Sequence, residues 1–97
     1  MIEYLYDAIR ATSGDDIVIC ACIRDEDGNL YGEGSQLCLY DEQHNMITMI
    51  KGEFNEENEY QYTIPAETTK DRYGRYWYAI CDLEHNALSF KQPIYLV

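Results

Sequence analysis

Short runs in which apolar and polar residues alternate follow one another along most of this chain. In residues 59–64 (EYQYTI), two tyrosines and an isoleucine alternate with polar neighbours, and residues 75–82 (RYWYAICD) form the strongest run of strand-forming residues. Successive side chains of a β-strand point to opposite faces, so a period of two residues predicts strands with one buried face.

Further runs of this kind are separated by groups of Gly, Asn and Asp, which favour turns. The turn signals recur about every 8–12 residues, which is the spacing typical of an antiparallel sandwich or barrel. No stretch keeps a 3.6-residue period long enough for a major helix. The pattern therefore predicts an all-β fold of roughly six or seven strands, built by residues 1–97 as a single domain. The other predicted strands lie within residues 3–12, 17–24, 36–41, 46–51 and 87–97.

Several segments depart from simple alternation. Residues 17–24 (IVICACIR) are apolar at both parities, which predicts either a central strand covered on both faces or a strand with thiols on its second face. Residues 3–12 leave a helix open as an alternative, and the polar residues 66–72 have room for a single helical turn. Pro93 inside the last run predicts an edge strand or a bend, and residues 52–58 are expected to form an acidic loop.

The length and charge of the chain limit what it can do. A chain of 97 residues buries roughly two-thirds of its unfolded surface in one core and leaves little volume for a deep cleft. Its 18 acidic and 7 basic residues give a net charge of −11, which argues against nucleic acid and anionic membranes as partners. The acidic surface either keeps the protein soluble or meets a basic partner, as in a protein that mimics nucleic acid.

The chain starts without a basic segment followed by a long apolar run, so a secretory signal peptide is not expected. No segment approaches the roughly 20 apolar residues of a transmembrane helix. We therefore expect the protein to be made and kept in a cytoplasm, or packaged from one.

The residue types that carry chemistry form no convincing constellation. His44 and His85 lie in separate predicted turns, and the acidic turn at residues 25–29 lacks the glycine and glutamate spacing of a calcium loop. We expect no enzyme activity, no cofactor and no metal site. Four cysteines without a secretory signal are expected to be buried thiols rather than disulfides or zinc ligands. They are Cys20, Cys22, Cys38 and Cys81.

Three pairs of tyrosines are spaced two residues apart, so each pair shares one face of its strand. Such pairs either pack in the core or form an aromatic contact surface, and Tyr4 and Tyr6 are the candidates for contact. Trp77 has the opposite parity to Tyr76 and Tyr78. If those two tyrosines and Ile80 face the core, Trp77 faces outward as an exposed or interface residue.

The order of these segments resembles the immunoglobulin-like domains of bacteriophage structural proteins, in particular the N-terminal domain of phage baseplate upper proteins. The likeness rests on the Ser-Gly-Asp-Asp step at residues 13–16, the Asp-Gly-Asn turn, the Tyr-x-Tyr-x-Ile-Pro strand at residues 60–65, and the approach to Gly74-Arg75-Tyr76. It implies an immunoglobulin-like β-sandwich that docks to other virion proteins in a head, tail or baseplate, with possible homo-oligomers. The location that it implies is a bacterial cytoplasm or a phage virion.

Within this likeness, Gly74-x-Tyr76 resembles the entry of a tyrosine corner, where the tyrosine hydroxyl bonds upstream backbone. Tyr78 stands where antibody domains carry a cysteine, so an inter-sheet disulfide is not expected. Gly74, Tyr76 and Tyr78 are thus predicted to be structural residues.

Two functions of different class compete. One is a non-catalytic binding or assembly module of a virion. The other is an acidic inhibitor that blocks a basic or nucleic-acid-binding host protein. A small enzyme is a weaker third reading, because it would need a pocket with perturbed titratable groups.

Overall fold

A computed structural model describes residues 2–4, 9–23, 27–28, 34–55, 59–82 and 90–97. Within these ranges six strands have five or more residues and three are shorter, so the all-β prediction is confirmed. The single helix has one turn, within the predicted residues 66–72. The elements are β1 (Ile2–Tyr4), β2 (Ile9–Ala11), β3 (Ile17–Ile23), β4 (Gln36–Tyr40), β5 (Met46–Lys51), β6 (Glu53–Phe54), β7 (Tyr60–Ile64), α1 (Ala66–Thr69), β8 (Gly74–Cys81) and β9 (Gln92–Leu96).

The strands form two sheets, one in the order β1-β3-β7-β6 and one in the order β2-β9-β8-β4-β5. Neighbouring strands pair antiparallel except for β2, which runs parallel to β9. The first predicted run is therefore divided, with β1 in the four-stranded sheet and β2 in the five-stranded sheet. Neither piece is helical, and residues 5–8 between them lie outside the described residues.

Alternate residues of both sheets meet in one core, as expected for a sandwich. The inward side chains of β3 and β7 pack against those of β4, β8 and β9, which buries the apolar half of each alternating run. The core cluster is Ile17, Ile19, Ala21, Leu37, Leu39, Tyr62, Ile64, Tyr78, Ile80, Ile94 and Leu96.

One local prediction is wrong, and for two others one of the two alternatives is excluded. β3 is central, but its outer face is not covered, because Val18 is 48% exposed. The alternative, a strand with thiols on its second face, agrees with Cys20, which has the same outward parity as Val18. The expected loop at residues 52–58 contains β6, which pairs with β7. Pro93 does not mark an edge strand, since β9 lies between β2 and β8. Its missing N–H is tolerated because β2 pairs only with the three residues that follow it, 94–96.

The chain passes from the five-stranded sheet to the four-stranded sheet at Gly52, between β5 and β6. The Gly52 amide donates to the Ser35 carbonyl at 3.0 Å. A Cβ atom on Gly52 would lie 2.6 Å from the Tyr62 ring. The Tyr62 hydroxyl shares a buried hydrogen bond of 2.6 Å with Ser35 Oγ. Because this bond holds the tyrosine ring against Gly52, the position leaves no room for a larger residue.

The helix α1 is fastened to the Ser-Gly-Asp-Asp step that precedes β3. Buried Thr69 donates to the Asp15 carbonyl at 2.8 Å and accepts from the Gly14 amide at 3.0 Å through the same hydroxyl. Ser13 Oγ donates to the Thr69 carbonyl at 2.8 Å. Asp16 Oδ1 accepts from the Ala66 amide at 2.6 Å. Two polar segments distant in sequence thus close one end of the sandwich.

In the described ranges, no helix is long and apolar enough to cross a bilayer.

Candidate interaction surface

The outer face of the five-stranded sheet carries most of the residues that could recognise a partner. Tyr78 and Ile80 are buried in the core, so Arg75 and Trp77 point away from it. On β9, Tyr95 has the same outward parity, because its neighbours Ile94 and Leu96 are core residues. Strand register then sets the outward residues side by side.

Arg75 stands opposite Tyr95 in the β8–β9 pairing. Its guanidinium carbon lies 5.7 Å from the Tyr95 ring centroid and 5.8 Å from that of Trp77. The imidazole of His44 stacks on Trp77 with centroids 5.1 Å apart and planes 21° apart. These are attractive contacts between cations or rings and aromatic faces.

The contacts continue onto β4. Lys91 Nζ lies 4.0 Å above the Tyr40 ring centroid and 3.2 Å from His44 Nδ1. Because an ammonium only donates hydrogen bonds, His44 Nδ1 must be the acceptor and the neutral ring must carry its proton on Nε2. We call this connected set the outer ladder; it consists of Tyr95, Arg75, Trp77, His44, Lys91 and Tyr40.

The turn between β4 and β5 holds His44 in place. The Asp41 carboxylate accepts from the amides of Gln43 at 3.0 Å and Asn45 at 2.8 Å, and the His44 amide donates to the Asp41 carbonyl at 3.0 Å. His44 has a φ of 66°, a left-handed conformation in which histidine is enriched among non-glycine residues. This closed turn directs the imidazole onto Trp77.

Charge is distributed unevenly between the two sheets. None of the 18 acidic residues lies in β2, β4, β5, β8 or β9, whereas these strands hold Arg10, Lys51 and Arg75. The strands of the four-stranded sheet contain Glu3 and Glu53 and no basic residue. Within the described part of the chain, neither Arg75 nor Lys91 has a carboxylate partner. The outer ladder is therefore a local positive and aromatic surface on an acidic protein.

The structure places the predicted contact residues in different positions. Trp77 is half-buried on the outer face, and its Nε1 atom is buried without a hydrogen-bond partner among the described residues. Tyr4 lies in β1 opposite Ala21, far in the topology from Trp77, and Tyr6 lies outside the described residues. A contact role for any of them stays a prediction.

The three predicted structural residues all lie in β8. Tyr78 is fully buried, and Tyr76 is partly buried against the core. Gly74 has a φ of +100°, which favours glycine at the start of the strand. No described residue accepts a hydrogen bond from the Tyr76 hydroxyl, so the tyrosine corner stays a prediction.

Beneath the outer ladder lies a second cluster that sequence reasoning missed. Cys38 Sγ donates to Cys81 Sγ at 3.1 Å, although 43 residues separate them. Burial, with the two neighbouring thiols, raises the pKa of Tyr40 to about 12. Burial and the hydrogen bond with Cys38 likewise raise the pKa of Cys81 to about 12. A thiol this weakly acidic is a poor nucleophile at neutral pH.

The expectation of uniformly buried thiols needs correction. Cys38 and Cys81 are buried, but Cys20 is half-buried because it shares the uncovered outer face of β3 with Val18. The side chain of Cys22 lies outside the described set. Among the described residues, no group of three or more His, Cys, Asp or Glu side chains could hold a metal ion.

A signal for the outer ladder was present in the sequence. The interiors of the predicted strands 36–41, 46–51 and 75–82 contain no acidic residue, although acidic residues are frequent in the chain. The partners of Trp77 could not be inferred in this way, because His44 and Lys91 lie outside the strands.

No protein-family model matches this sequence, and no curated protein matches it as a relative. Among solved structures 14 chains match, and one is the crystal structure of the Lin-41 filamin domain. That structure aligns with 100% of this chain and 90% of its own chain, with a TM-score of 0.66 and 14% sequence identity. The filamin domain is immunoglobulin-like, so the predicted immunoglobulin-like β-sandwich is confirmed as the fold.

Proposed function

We propose that this domain is a non-catalytic protein-interaction module that binds a partner through the outer ladder. The observation that carries the proposal is the segregation of cations and aromatic rings onto one sheet face whose strands contain no acidic residue, in a protein with net charge −11. Tryptophan, tyrosine and arginine are the residue types most enriched at the energetic centres of protein interfaces.

The contacts within the outer ladder prepare it for binding. Arg75 lies against two rings, and Lys91 is held by both Tyr40 and His44. Side chains already fixed by their neighbours lose less conformational entropy when a partner arrives. Since these cations lack carboxylate partners among the described residues, a partner that offers carboxylates beside aromatic or apolar groups complements them.

The sandwich fold agrees with such a role. The core lies between the two sheets, and the candidate residues lie on the outer face of the five-stranded sheet or beside it. Immunoglobulin-like domains of this kind include the filamin domain that the structure resembles. Fold likeness alone does not specify a partner.

The proposal is tested by selecting peptides from a random display library on the immobilised domain. We expect the wild-type domain to enrich peptides that contain Asp or Glu near aromatic residues. The Arg75→Glu/Lys91→Glu variant should lose that enrichment. Lys70→Glu is the matched control, because it removes a cation next to α1, outside the five-stranded sheet. Enrichment of basic peptides, or equal selection by both variants, would contradict the proposal.

We propose further that the assembly served by this module is a phage or prophage particle, in its head, tail or baseplate. What supports this is the resemblance of nearly the whole sequence to immunoglobulin-like domains of phage structural proteins. On this proposal the protein is made in a bacterial cytoplasm before it is packaged. Peptide mass spectrometry of particles purified after prophage induction of the source cells should detect the chain in fixed stoichiometry. Its absence from purified particles would contradict a virion role.

A second candidate function, an inhibitor of a basic host protein, is supported by the same charge segregation. Every acidic residue lies outside the strands of the five-stranded sheet, so the acidic surface is concentrated on the turns and the other sheet. An inhibitor of this kind binds through those carboxylates, and its affinity falls steeply with added salt. Arg75→Glu would then leave binding unchanged or strengthen it, whereas binding through the outer ladder would be lost.

A further inference from the structure

Two buried thiols meet across β4 and β8, on the side of the five-stranded sheet that carries the outer ladder. Cys38 is 1% exposed and Cys81 is 4% exposed. Register places Cys38 opposite Ala79, and Cys81 opposite Gln36. The two cysteines are therefore diagonal neighbours with the same outward parity, which explains why their sulfur atoms converge.

The sulfur atoms of the pair lie close to bonding distance. They are 3.1 Å apart, about 1 Å more than an S–S bond of roughly 2.05 Å. Diagonal neighbours on adjacent strands have Cα atoms roughly 7–8 Å apart, slightly more than most disulfides span. Bond formation therefore needs a small shift of the two strand backbones as well as movement of the side chains.

We propose that Cys38 and Cys81 are a redox pair, which a low-molecular-weight disulfide such as oxidised glutathione converts into a disulfide within the five-stranded sheet. One cysteine thiolate attacks a glutathione sulfur, which breaks the glutathione disulfide and releases one glutathione thiolate. The second cysteine then attacks the protein sulfur of this mixed disulfide, forms the Cys38–Cys81 bond and releases the second glutathione. Two electrons and two protons leave the pair and are recovered in two glutathione thiols.

Burial makes this oxidation slow. Attack requires a thiolate and access for glutathione, and the raised pKa of Cys81 keeps that thiol protonated at neutral pH. The rate should therefore rise with pH and with mild urea, which opens the structure transiently, while the oxidised product should remain after the urea is removed. Such a pair responds to a sustained change of redox environment rather than to a brief one.

Tyr40 connects the pair to the outer ladder. Burial raises the pKa of its hydroxyl, and the neighbouring Cys38 and Cys81 thiols raise it further. Its ring lies under the Lys91 ammonium. Oxidation removes both S–H groups and the possibility of thiolate charge beside Tyr40. The pKa of Tyr40 should then fall from about 12 towards its ordinary value, which provides a spectroscopic readout of the redox state.

The proposal is tested with the full chain in a glutathione redox buffer, followed by alkylation of free thiols and tryptic mapping. Cleavage after Lys and Arg places Cys38 in the peptide 25–51, Cys81 in the peptide 76–91, and the other two cysteines in the peptide 11–24. We expect the peptides 25–51 and 76–91 to be joined in the oxidised sample and separate after reduction. The oxidised domain should also melt at least about 5 °C higher, because the cross-link restricts the unfolded chain.

The Cys20→Ser/Cys22→Ser variant is the matched control, since it keeps the proposed pair and removes the competing thiols. It should form the same joined peptides, whereas Cys38→Ser should not. The tryptic map of this control variant decides the matter even if Cys38→Ser fails to fold. Products in which the peptides 25–51 and 76–91 carry only glutathione, or remain fully alkylatable after equilibration in mild urea, would overturn the proposal.

Discussion

The outer faces of the two sheets differ although both sheets share one core. On the four-stranded sheet, outward positions of β3 and β7 hold Val18, Cys20, Gln61 and Thr63, and its strands contain no basic residue. On the five-stranded sheet, the equivalent positions hold rings and cations that contact one another from Tyr95 to Tyr40. The strands of this second sheet contain no acidic residue.

This difference does not follow from the requirements of folding. Core packing between the sheets fixes only the inward residue of each alternating pair, so the exposed outward positions of both sheets could have been acidic. The acidic residues of this chain instead lie in turns and in the four-stranded sheet. A net charge of −11 thus conceals one positive aromatic face, and the average composition of the chain is a poor guide to what that face binds.

The largest effect is expected when the central ring of the outer ladder is removed. Trp77→Ala should weaken binding of the selected acidic peptide by about 2–4 kcal/mol, because tryptophan at the centre of an interface is commonly an energetic hot spot. Val18→Ala, which truncates an exposed residue of the other sheet, should leave the affinity unchanged. Isothermal titration calorimetry measures both, and circular dichroism verifies that both variants fold. Equal losses for the two variants would show that the faces do not differ in binding.

The next effect concerns Gly52, where the chain crosses between the sheets. Gly52→Ala should lower the free energy of unfolding by about 1–3 kcal/mol through overpacking. The new Cβ would lie 2.6 Å from a ring carbon of Tyr62. Tyr62 is fully buried, and its hydroxyl is hydrogen-bonded to Ser35 Oγ. It therefore has little room to move.

Urea denaturation of a double-mutant cycle measures this coupling. In a Tyr62→Leu background the clash is absent, so Gly52→Ala should cost markedly less than it does in the wild-type background. An identical cost in both backgrounds would place the strain in the backbone at Gly52 rather than between the sheets.

A third prediction concerns alkaline pH, and its direction follows from the raised pKa values beneath the outer ladder. The pKa of Cys81 rises from 9.0 to about 12, and that of Tyr40 rises from 10.0 to about 12. Folding therefore favours the neutral forms. Their contribution to stability is complete below the pKa values of the unfolded chain and declines as pH rises from about 9 to 12.

Tyr40→Phe keeps the ring beneath Lys91 but removes one titrating group. Urea midpoints measured across this pH range should fall less for Tyr40→Phe than for the wild type. Tyrosines and cysteines away from Tyr40 are present in both proteins and cancel in the difference, whereas Cys38 and Cys81 interact with Tyr40 and contribute to it. A parallel decline in the two proteins would contradict the assigned coupling.

Sequence patterning predicted the frame of this fold because alternation is a direct consequence of strand geometry. Residues 60–64 and 74–81 became strands with buried Tyr62, Tyr78 and Ile80, and the polar residues 66–72 contain the one-turn helix α1. The register between strands could not be predicted from the sequence pattern, because it depends on turns and on pairing partners that local alternation does not specify.

That missing register explains what sequence reasoning overlooked in the candidate site. The outward position of Trp77 follows from the parity of Tyr76 and Tyr78, but its stacking on His44 depends on the turn at residues 41–45. The approach of Cys38 to Cys81 depends on the pairing of β4 with β8. The exposure of Val18 has the same cause. The apolar sequence of residues 17–24 does not reveal whether one face of the strand lacks a covering layer.

The smallest effect expected is on stability when a cation of the outer ladder is neutralised. Arg75→Gln should change the free energy of unfolding by less than about 1 kcal/mol, since cation–π contacts at exposed sites contribute about 0.5–1 kcal/mol. The same substitution should weaken binding of the acidic peptide at least tenfold, because it removes a charge that has no carboxylate partner within the described residues. A residue that serves recognition contributes strongly to the affinity for the peptide and little to the free energy of unfolding. If Arg75→Gln instead lowers the urea midpoint strongly and leaves the peptide affinity intact, the outer ladder braces the five-stranded sheet and the partner binds elsewhere.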